Sequence, residues 1–401
     1  MPNETRDFGD LRVTLTKEFD WKYSDSETGS TRDGSFYHAK SQGDLRPLGS
    51  FCTPNYEAVH NIRATLLVGN ASNGSGKPAV ASPTGYTKTW WDRGAGGKHD
   101  GAIWRPSAPS GYVALGDICT NSYSTPSTSA IWCVRSDLVL QSDFGANSVW
   151  SDSDSGAKMD VSVWSIVKPQ MSVDGSDKIP VLTDLFITNS GYSKPEYSRA
   201  KVLGLPVPKD FKRFSADLPI FTKDKIPREG DVFDELAQCA VTLPFTAFFP
   251  PTDKSCLNLI SHPFITLQRR TAWYVEDVAR NAADQSGTHS TKITKGVSAS
   301  QSKEMTHSVG VAITASFGIK AIGGGVDVSL NYQFTASQSY SSSEYQETEK
   351  THTFNIGPQT VLVLLTDRVW IQATRSDGST TLHRIGYNAT DDLSRTEIKL
   401  K

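Results

Sequence analysis

The stretch from Trp90 to Trp104, WWDRGAGGKHDGAIW, places one aromatic residue shortly before Asp92 and another shortly after Asp100. Between the two aspartates lie glycines and small or polar residues, a composition that is typical of a turn. The flanking aromatic and branched residues are typical of paired strands. The stretch therefore predicts a β-hairpin with a polar tip.

The same spacing occurs three times in the first half of the chain. The pattern aromatic-x-Asp-x3-Gly-x3-Asp-x3-aromatic runs from Tyr23 to Tyr37, from Trp90 to Trp104 and from Trp150 to Trp164. The copies are offset by 67 and then 60 residues, which leaves room for several strands in each, and such repetition indicates a symmetric architecture. We predict an all-β fold whose first domain, residues 1–203, is a pseudo-threefold β-prism-like domain.

The repeated aspartates and aromatics allow two interpretations. Carboxylates are hard oxygen ligands and aromatic rings stack on sugar faces, so the loops are candidates for binding sugar hydroxyls or Ca²⁺. Alternatively, the aspartates satisfy backbone N–H groups of the turns, and the aromatics pack as cross-strand pairs. The candidate residues are Asp25, Asp33, Asp92, Asp100, Asp152, Asp160, Trp90, Trp104, Trp150 and Trp164.

Several segments of this half resemble a known family. Trp90 to Asp92, DGAIWRP from Asp100, GYVALGD from Gly111 and CVRSDL from Cys133 are similar to the Vps62-type domain. The resemblance implies a fold rather than a defined activity. A receptor-binding role is the hypothesis that we attach to this domain.

The bulk composition excludes several classes of protein. The net charge of −2 gives no electrostatic case for a nucleic-acid partner. The five cysteines are scattered and predict neither a disulfide framework nor a zinc site, so we expect no metal and no cofactor. No phosphate loop, zinc-protease or nucleophile-elbow motif occurs, and we expect a protein that is not an enzyme.

The termini and hydropathy bear on localisation. The chain starts MPNETRDFGD, without the basic and apolar segments of a secretory signal, and has no run of 18 apolar residues. We expect a soluble product that is released by a non-classical route and then acts at a target-cell membrane.

Residues 204–239, rich in Pro, Lys and Arg, predict an exposed linker before a second domain of residues 240–401.

Residues 309–336, VGVAITASFGIKAIGGGVDVSLNYQFTA, alternate apolar with small or polar side chains on both sides of a triple-glycine turn. One face is predicted to contact lipid, and it consists of Val309, Val311, Ile313, Ala315, Phe317, Ile319, Val326, Val328, Leu330, Tyr332, Phe334 and Ala336. The other face is predicted to line a lumen, and it includes Thr314, Ser316, Lys320, Asp327, Ser329, Asn331 and Gln333.

The geometry of this hairpin suits a bilayer. With Val309 opposite Ala336 and Phe317 opposite Val328, apolar residues always meet apolar residues, and a slip of one residue would mix the faces. Each arm of about 11 residues is about 36 Å long and, tilted, spans about 25 Å, the height of the apolar band of a membrane barrel. A lone hairpin would leave backbone groups unpaired in lipid, so several copies must close a barrel.

Ser- and Thr-rich stretches, residues 288–308 and 335–353, flank the hairpin and are predicted to extend both of its strands. This arrangement resembles the aerolysin-like β-pore-forming family, which includes insecticidal members, over residues 240–385. The resemblance implies an elongated β-sheet domain and a pore-forming toxin, insecticidal or defensive, that acts as a homo-oligomeric ring. The expected partners are a target-cell membrane and a glycan, lipid or protein receptor.

Two alternatives stay open from the sequence. The hairpin could be an ordinary amphipathic hairpin that covers the core of a soluble sandwich, which shows the same alternation. The whole chain could then be a non-lytic lectin-like or membrane-trafficking module. If the chain forms pores, we expect a soluble monomer or small oligomer before the ring assembles on the membrane.

Overall fold

The computed structural model describes residues 2–74, 76–167, 178–206, 216–309, 311–314, 318–321, 328–329 and 346–401. The chain divides into two compact units: unit 1 consists of Met1–Val207, Leu243–Phe264 and Ala321–Val328, and unit 2 of Pro208–Thr242, Ile265–Lys320 and Ser329–Lys401. Both are built almost entirely of strands, which confirms the predicted all-β class.

The strands of unit 1 are short. In chain order they are β1 Arg6–Phe8, β2 Leu11–Thr16, β3 Phe19–Ser24, β4 Ser35–Ala39, β5 Ser50–Thr53, β6 Thr65–Asn70, β7 Val80–Ala81, β8 Gly85–Trp91, β9 Ala102–Ser107, β10 Tyr112–Val113, β11 Ile118–Thr120, β12 Cys133–Arg135, β13 Val139–Gln141, β14 Asp143–Phe144, β15 Trp150–Ser151, β16 Val161–Val167, β17 Lys178–Val181, β18 Phe186–Ser190 and β19 Lys201–Pro206. A short helix, α1 (Lys254–Asn258), also belongs to this unit.

Each sequence repeat forms an equivalent antiparallel sheet, because its Asp-containing stretch is the turn of the first hairpin. The three sheets contain β3-β4-β5, β8-β9-β11 and β15-β16-β18 in these orders, and in the third sheet β14 also pairs with β16. The bulge before the first repeat aromatic also recurs, between Trp21 and Tyr23 in the first copy and between Lys88 and Trp90 in the second. The predicted pseudo-threefold organisation is therefore present in the backbone.

The repeats meet in one shared core. Two sets of its buried residues come from matching positions of the three copies: Tyr23, Trp90 and Trp150, and Phe36, Ile103 and Val163. Cys52 and Cys119 match in the first two copies, and Phe186 of the third copy completes the cluster. The rings of Trp90 and Trp150 contact each other edge to face at 5.2 Å between centroids, as aromatic pairs prefer. Cys52, Cys119 and Cys133 are free thiols, and all three are buried, as is Cys256.

Unit 2 contains much longer strands and one longer helix. They are β20 Val232–Pro244, β21 Phe264–Asn281, β22 Gly287–Lys295, α2 Ala299–Val309, β23 Val311–Thr314, β24 Gly318–Ala321, β25 Val328–Ser329, β26 Thr348–Ile356, β27 Thr360–Arg375, β28 Thr380–Asn388 and β29 Ser394–Lys399. The main sheet has the order β20-β21-β27-β28-β22-β26, with β29 paired to β27, while β23, β24 and β25 form a small sheet in that order. The buried face of β27 supplies Val361, Val363 and Leu365.

The predicted linker of residues 204–239 is shorter in the structure. Strand β19 ends at Pro206 and β20 begins at Val232. The strap, which we define as residues 216–231, lies on the sheet of unit 2, because Trp273 donates its Nε1–H to the carbonyls of Ala216 and Asp217 at 3.0 Å. Hydrophobic residues spaced among the prolines, such as Phe221, pack on that sheet and fix the strap in place.

The prediction that residues 288–308 form one long strand is wrong for their second half. Strand β22 ends at Lys295, and helix α2 begins at Ala299. Ser298 Oγ accepts the N–H of Gln301 at 3.2 Å, and Gln301 Oε1 accepts the N–H of Ser298 at 3.0 Å. This reciprocal pair is a capping box, and with the burial of Met305 it stabilises a helix over residues whose polarity suggested an exposed strand.

The first arm of the predicted hairpin is also not one continuous strand. Val309 is the last residue of α2, and β23 and β24 are neighbouring strands of the small sheet rather than parts of one strand. A long strand with one apolar face would expose both that face and an unpaired edge to water. Shorter strands that pair with one another reduce both costs.

Candidate functional site

The three Asp-containing turns form a continuous surface at one end of unit 1. We call the turns of residues 25–33, 92–100 and 152–160 together the loop cap. Each turn is joined to the next by a backbone hydrogen bond, and these bonds run from Thr31 N to Ser153 O at 3.1 Å, from Lys98 N to Ser26 O at 3.3 Å and from Lys158 N to Arg93 O at 3.3 Å. The bonds close a ring around the pseudo-threefold axis.

The first aspartate of each repeat anchors its own turn. Asp25, Asp92 and Asp152 are 2%, 5% and 3% exposed. In each, Oδ1 accepts the backbone N–H of the residue nine positions later, from Gly34 at 2.8 Å, Gly101 at 3.1 Å and Val161 at 2.8 Å. This was the turn-stabilising alternative that the sequence allowed.

The second carboxylate oxygen joins one repeat to another. Trp150 donates its Nε1–H to Asp25 Oδ2 at 2.6 Å, and Trp90 donates to Asp152 Oδ2 at 2.7 Å. At the third matching position the Tyr23 hydroxyl is buried and makes no hydrogen bond to the described residues. Burial raises the pKa of Asp152, and its bonds to Val161 N and Trp90 oppose that rise.

The four candidate tryptophans are core residues rather than platforms for a ligand. Trp90 and Trp150 are fully buried, and Trp104 and Trp164 are 5% and 6% exposed. Trp104 and Trp164 also donate their Nε1–H groups within the unit, to Thr120 Oγ1 and Ser162 Oγ. Their rings are packed by neighbouring strands and leave no face for a sugar.

The second aspartates, Asp33, Asp100 and Asp160, are exposed, and each lies beside a tyrosine that the sequence interpretation missed. Tyr123 donates to Asp100 Oδ1 at 3.0 Å and Tyr192 to Asp160 Oδ1 at 3.3 Å, while Tyr56 donates to Asp25 Oδ1 at 2.9 Å. Desolvation and the two carboxylates of its repeat raise the pKa of Tyr192 to about 12, so this hydroxyl is a proton donor at neutral pH.

A signal for two of these tyrosines was present in the sequence. Tyr56 and Tyr123 are separated by the 67-residue offset of the first two repeats, and both follow a Cys-Thr pair. We call the exposed edge of each turn, where the second aspartate lies beside its tyrosine, a rim of the loop cap. Each rim presents a carboxylate, a phenol hydroxyl and part of an aromatic ring, which are the groups that recognise sugar hydroxyls. Within the described residues, no group of three or more His, Cys, Asp or Glu could hold a metal ion.

The predicted lipid-facing and lumen-facing residues mostly lie outside the described part of the chain. The structure gives backbone alone at residues 311–314, 318–321 and 328–329, and Ala315, Ser316, Phe317, Val326, Asp327, Leu330, Asn331, Tyr332, Gln333, Phe334 and Ala336 lie outside it. The assignment of their faces therefore stays a prediction. Within the described residues, no helix is long and apolar enough to cross a membrane.

The two strands that bracket this segment are paired with each other. Strands β22 and β26 run antiparallel from Gly287 opposite Ile356 to Lys295 opposite Thr348, without a register shift. Except for Ile293 and Ile356, their residues are exposed or half-buried. The segment between Lys295 and Thr348 therefore begins and ends at two residues that lie directly opposite each other in the sheet.

Comparison with known proteins identifies the first half of the chain. The family model described as "Vacuolar protein sorting-associated protein 62" matches residues 3–208. No curated protein matches the chain. The crystal structure of GNIP1Aa from Chromobacterium piscinae matches with a TM-score of 0.39 and 22% identity over 48% of this chain and 37% of that chain. The crystal structure of Cry35Ab1 matches with a TM-score of 0.38 and 11% identity over 98% of this chain and 90% of that one.

Proposed function

The chain belongs to the Vps62 family, whose domain covers residues 3–208, and from this premise we propose a pore-forming protein that carries a Vps62 domain. In this proposal unit 1 binds a target-cell surface, and residues 309–336 insert into the membrane. Several copies then close a β-barrel, so the active form is a homo-oligomeric ring. The proposed protein has a toxin-like or defensive role and no enzymatic activity.

The observation that supports this proposal is the pairing of β22 with β26. Continued one residue at a time beyond Lys295 and Thr348, this pairing sets Val311 opposite Tyr332, Ile313 opposite Leu330 and Phe317 opposite Val326. It differs by two residues from the register that the hairpin alone suggests, and a shift of two preserves the faces. Apolar residues therefore meet apolar residues in either register, as one continuous hairpin requires.

Extension of the hairpin requires helix α2 to become strand. A helix of this length is marginal in water and depends on its cap and on packing, so the conversion costs little compared with the burial that follows. The apolar arm then loses its contact with water, and its backbone pairs with neighbouring copies in the barrel. The polar β22 and β26 suit the part of a barrel that stands above the membrane.

Two adjacent residues of β23 provide the test. Ile313 belongs to the predicted lipid face and Thr314 to the predicted lumen face. Both residues lie near the middle of the first arm. An arginine that faces lipid at the bilayer midplane costs about 2–4 kcal/mol in each copy, and one that faces a lumen costs little. Ile313→Arg should abolish dye release from liposomes, and Thr314→Arg should retain it.

The matched controls are vesicle binding and the far-UV circular dichroism spectrum, which both variants should keep. Equal leakage from both variants would exclude insertion of this strand in the proposed orientation. Absence of leakage from the unaltered protein, on vesicles to which it binds, would exclude pore formation on that membrane.

A second candidate function, glycan binding without lysis, is favoured by the rims of the loop cap. The exposed Asp100 next to Tyr123 and the exposed Asp160 next to Tyr192 offer acceptor and donor groups to a sugar. Replacement of Asp33, Asp100 and Asp160 together by Asn should weaken binding to immobilised glycans without changing the unfolding temperature. Retained binding would remove the loop cap as the receptor site and leave the hairpin test unaffected.

A further inference from the structure

Unit 1 contains a cavity of about 330 Å³ that is lined by charged groups from the second and third repeats. Its lining includes Arg105 on β9, Ile187 on β18 and Lys201 on β19, together with Tyr112, Asp117 and Arg199. The volume is at the lower end of the range for small-molecule sites. Neither the loop cap nor the hairpin includes these residues.

Asp117 is the single carboxylate of the lining, and its hydrogen-bonding capacity is already used. It is 1% exposed and receives two bonds from Arg105, from Nε to Oδ1 at 3.1 Å and from Nη2 to Oδ2 at 2.9 Å. Its Oδ2 also accepts from Thr188, from N at 2.7 Å and Oγ1 at 2.5 Å. One positive charge of the cavity is therefore neutralised by a fixed partner.

Among the residues that the structure describes, the other two cations donate hydrogen bonds to neutral groups only, although Asp117 also attracts Arg199 electrostatically. Arg199 donates from Nη2 to Thr188 O at 2.8 Å and from Nη1 to Asn189 Oδ1 at 3.4 Å. Lys201 Nζ donates to Gln141 Oε1 at 2.5 Å. Burial and the neighbouring Arg105 lower the pKa of Arg199. Two uncompensated cations in a partly desolvated cavity are unfavourable unless an anion joins them.

The fold does not require this charge. In the first repeat, the positions that match Arg105 and Asp117 hold His38 and Ser50, and these form a neutral hydrogen bond of 3.0 Å. In the third repeat, Ser165 occupies the position that matches Arg105. The three repeats keep the same backbone, so this backbone does not depend on an arginine at the position of Arg105.

We propose that this cavity binds a phosphate monoester. Arg105 Nη1 and Arg199 Nε have no hydrogen-bond partner among the residues that the structure describes, and Lys201 adds a third donor group. Guanidinium groups match the oxygens of phosphate in geometry and charge. The apolar part of the lining, which includes Pro106 and Ile187, suits the carbon skeleton that carries the phosphate.

The test uses the full-length protein and glucose 6-phosphate in isothermal titration calorimetry, with glucose as the neutral control. Arg199→Gln removes a cation and should weaken binding about tenfold or more, as expected for the loss of a charge-assisted hydrogen bond. Arg199→Lys should retain most of the affinity. Lys40→Gln removes one exposed positive charge of unit 1 outside both the loop cap and the cavity, and this variant should bind like the unaltered protein.

Thermal unfolding separates a ligand site from a structural pair. Glucose 6-phosphate should raise the unfolding temperature of the unaltered protein and of Lys40→Gln, and at the same concentration it should raise that of Arg199→Gln less. Lys201→Gln provides the same test if Arg199→Gln does not fold. Equal affinity of Arg199→Gln and the unaltered protein overturns the proposal, and so does the absence of binding to any phosphate monoester.

A parallel arm distinguishes the two sources of a phosphate monoester. Vesicles that contain phosphatidic acid present the group on a lipid, whereas glucose 6-phosphate presents it on a soluble sugar. Binding that depends on Arg199 in either arm supports the site, and the arm with the larger dependence assigns the source. The proposal does not rest on pore formation, because leakage is not its readout.

Discussion

Gly34 gives the sharpest prediction about the shared core of the repeats. A Cβ built on Gly34 would lie 2.4 Å from Cδ1 of Trp150, whose side chain is fully buried. Non-bonded carbon atoms prefer about 3.5–4.0 Å, so Gly34→Ala must displace the indole by about 1 Å or more. The displacement also breaks the 2.6 Å hydrogen bond from Trp150 Nε1 to Asp25.

The two effects set the magnitude. Overpacking in a rigid core costs about 1–3 kcal/mol. Loss of a hydrogen bond to a buried carboxylate adds about 1.5–3 kcal/mol. We expect Gly34→Ala to lower the free energy of unfolding of unit 1 by about 3–5 kcal/mol, a decrease of about 10 °C in its unfolding temperature for a domain of this size.

Differential scanning calorimetry and urea unfolding followed by tryptophan fluorescence measure this change. The matched control is Gly85→Ala, since a Cβ there meets no atom within 4 Å. That variant should unfold within about 1 kcal/mol of the unaltered protein, with any change toward greater stability. If both variants have the same stability, the close packing of Trp150 on the first repeat is not what stabilises unit 1.

Three further predictions concern other parts of the chain. Asp25→Ala should lower the free energy of unfolding in urea by about 3–4 kcal/mol, because three hydrogen-bond donors lose their acceptor. The control, Asp33→Ala at an exposed position, should lower it by less than about 0.5 kcal/mol. Equal losses in the two variants would contradict the anchoring role of Asp25. Burial lowers the pKa of His38 to about 4, so its neutral form stabilises the fold above pH 6.5, and this contribution is lost as the pH falls toward 4. In His38→Gln, the decline in unfolding free energy between pH 7 and pH 5 should be smaller by about 1–2 kcal/mol, and an unchanged pH slope would refute this account. Ser298→Ala removes the hydroxyl that accepts the N–H of Gln301 and should speed amide hydrogen exchange in helix α2 about fivefold, while exchange in β27 stays the same. Unchanged exchange in α2 would mean that the capping box does not stabilise this helix.

The hairpin turns of unit 1 were predictable because each repeat contains the complete local signal. The Gly-rich stretch from Asp92 to Asp100 fixes the turn, and Trp90 and Trp104 fix the flanking strands. The choice between ligand binding and packing for Trp90 was not predictable. It depends on the partner of its Nε1–H, and that partner, Asp152, is in another repeat.

The prediction of one strand over residues 288–308 failed because a local signal was overlooked. The Ser298-x-x-Gln301 capping box was visible in the sequence, but the Ser- and Thr-rich composition around it favoured an exposed strand. The strap was interpreted as a linker because its prolines interrupt any periodicity. Its docking depends on Trp273, a residue of β21 that no local pattern connects with Ala216.

By itself, the sequence determined the all-β class, the threefold repeat and the two faces that residues 309–336 would have in a hairpin. These properties depend on the periodicity of side chains along a strand and on turn chemistry, which neighbouring residues specify. Only the tertiary structure decided that Asp25 and Asp152 accept hydrogen bonds from tryptophans of other repeats and that Arg105, Arg199 and Lys201 line one cavity. The physical reason is that hydrogen bonding, burial and charge compensation depend on which residues meet across the fold, and spacing along the chain does not specify those contacts.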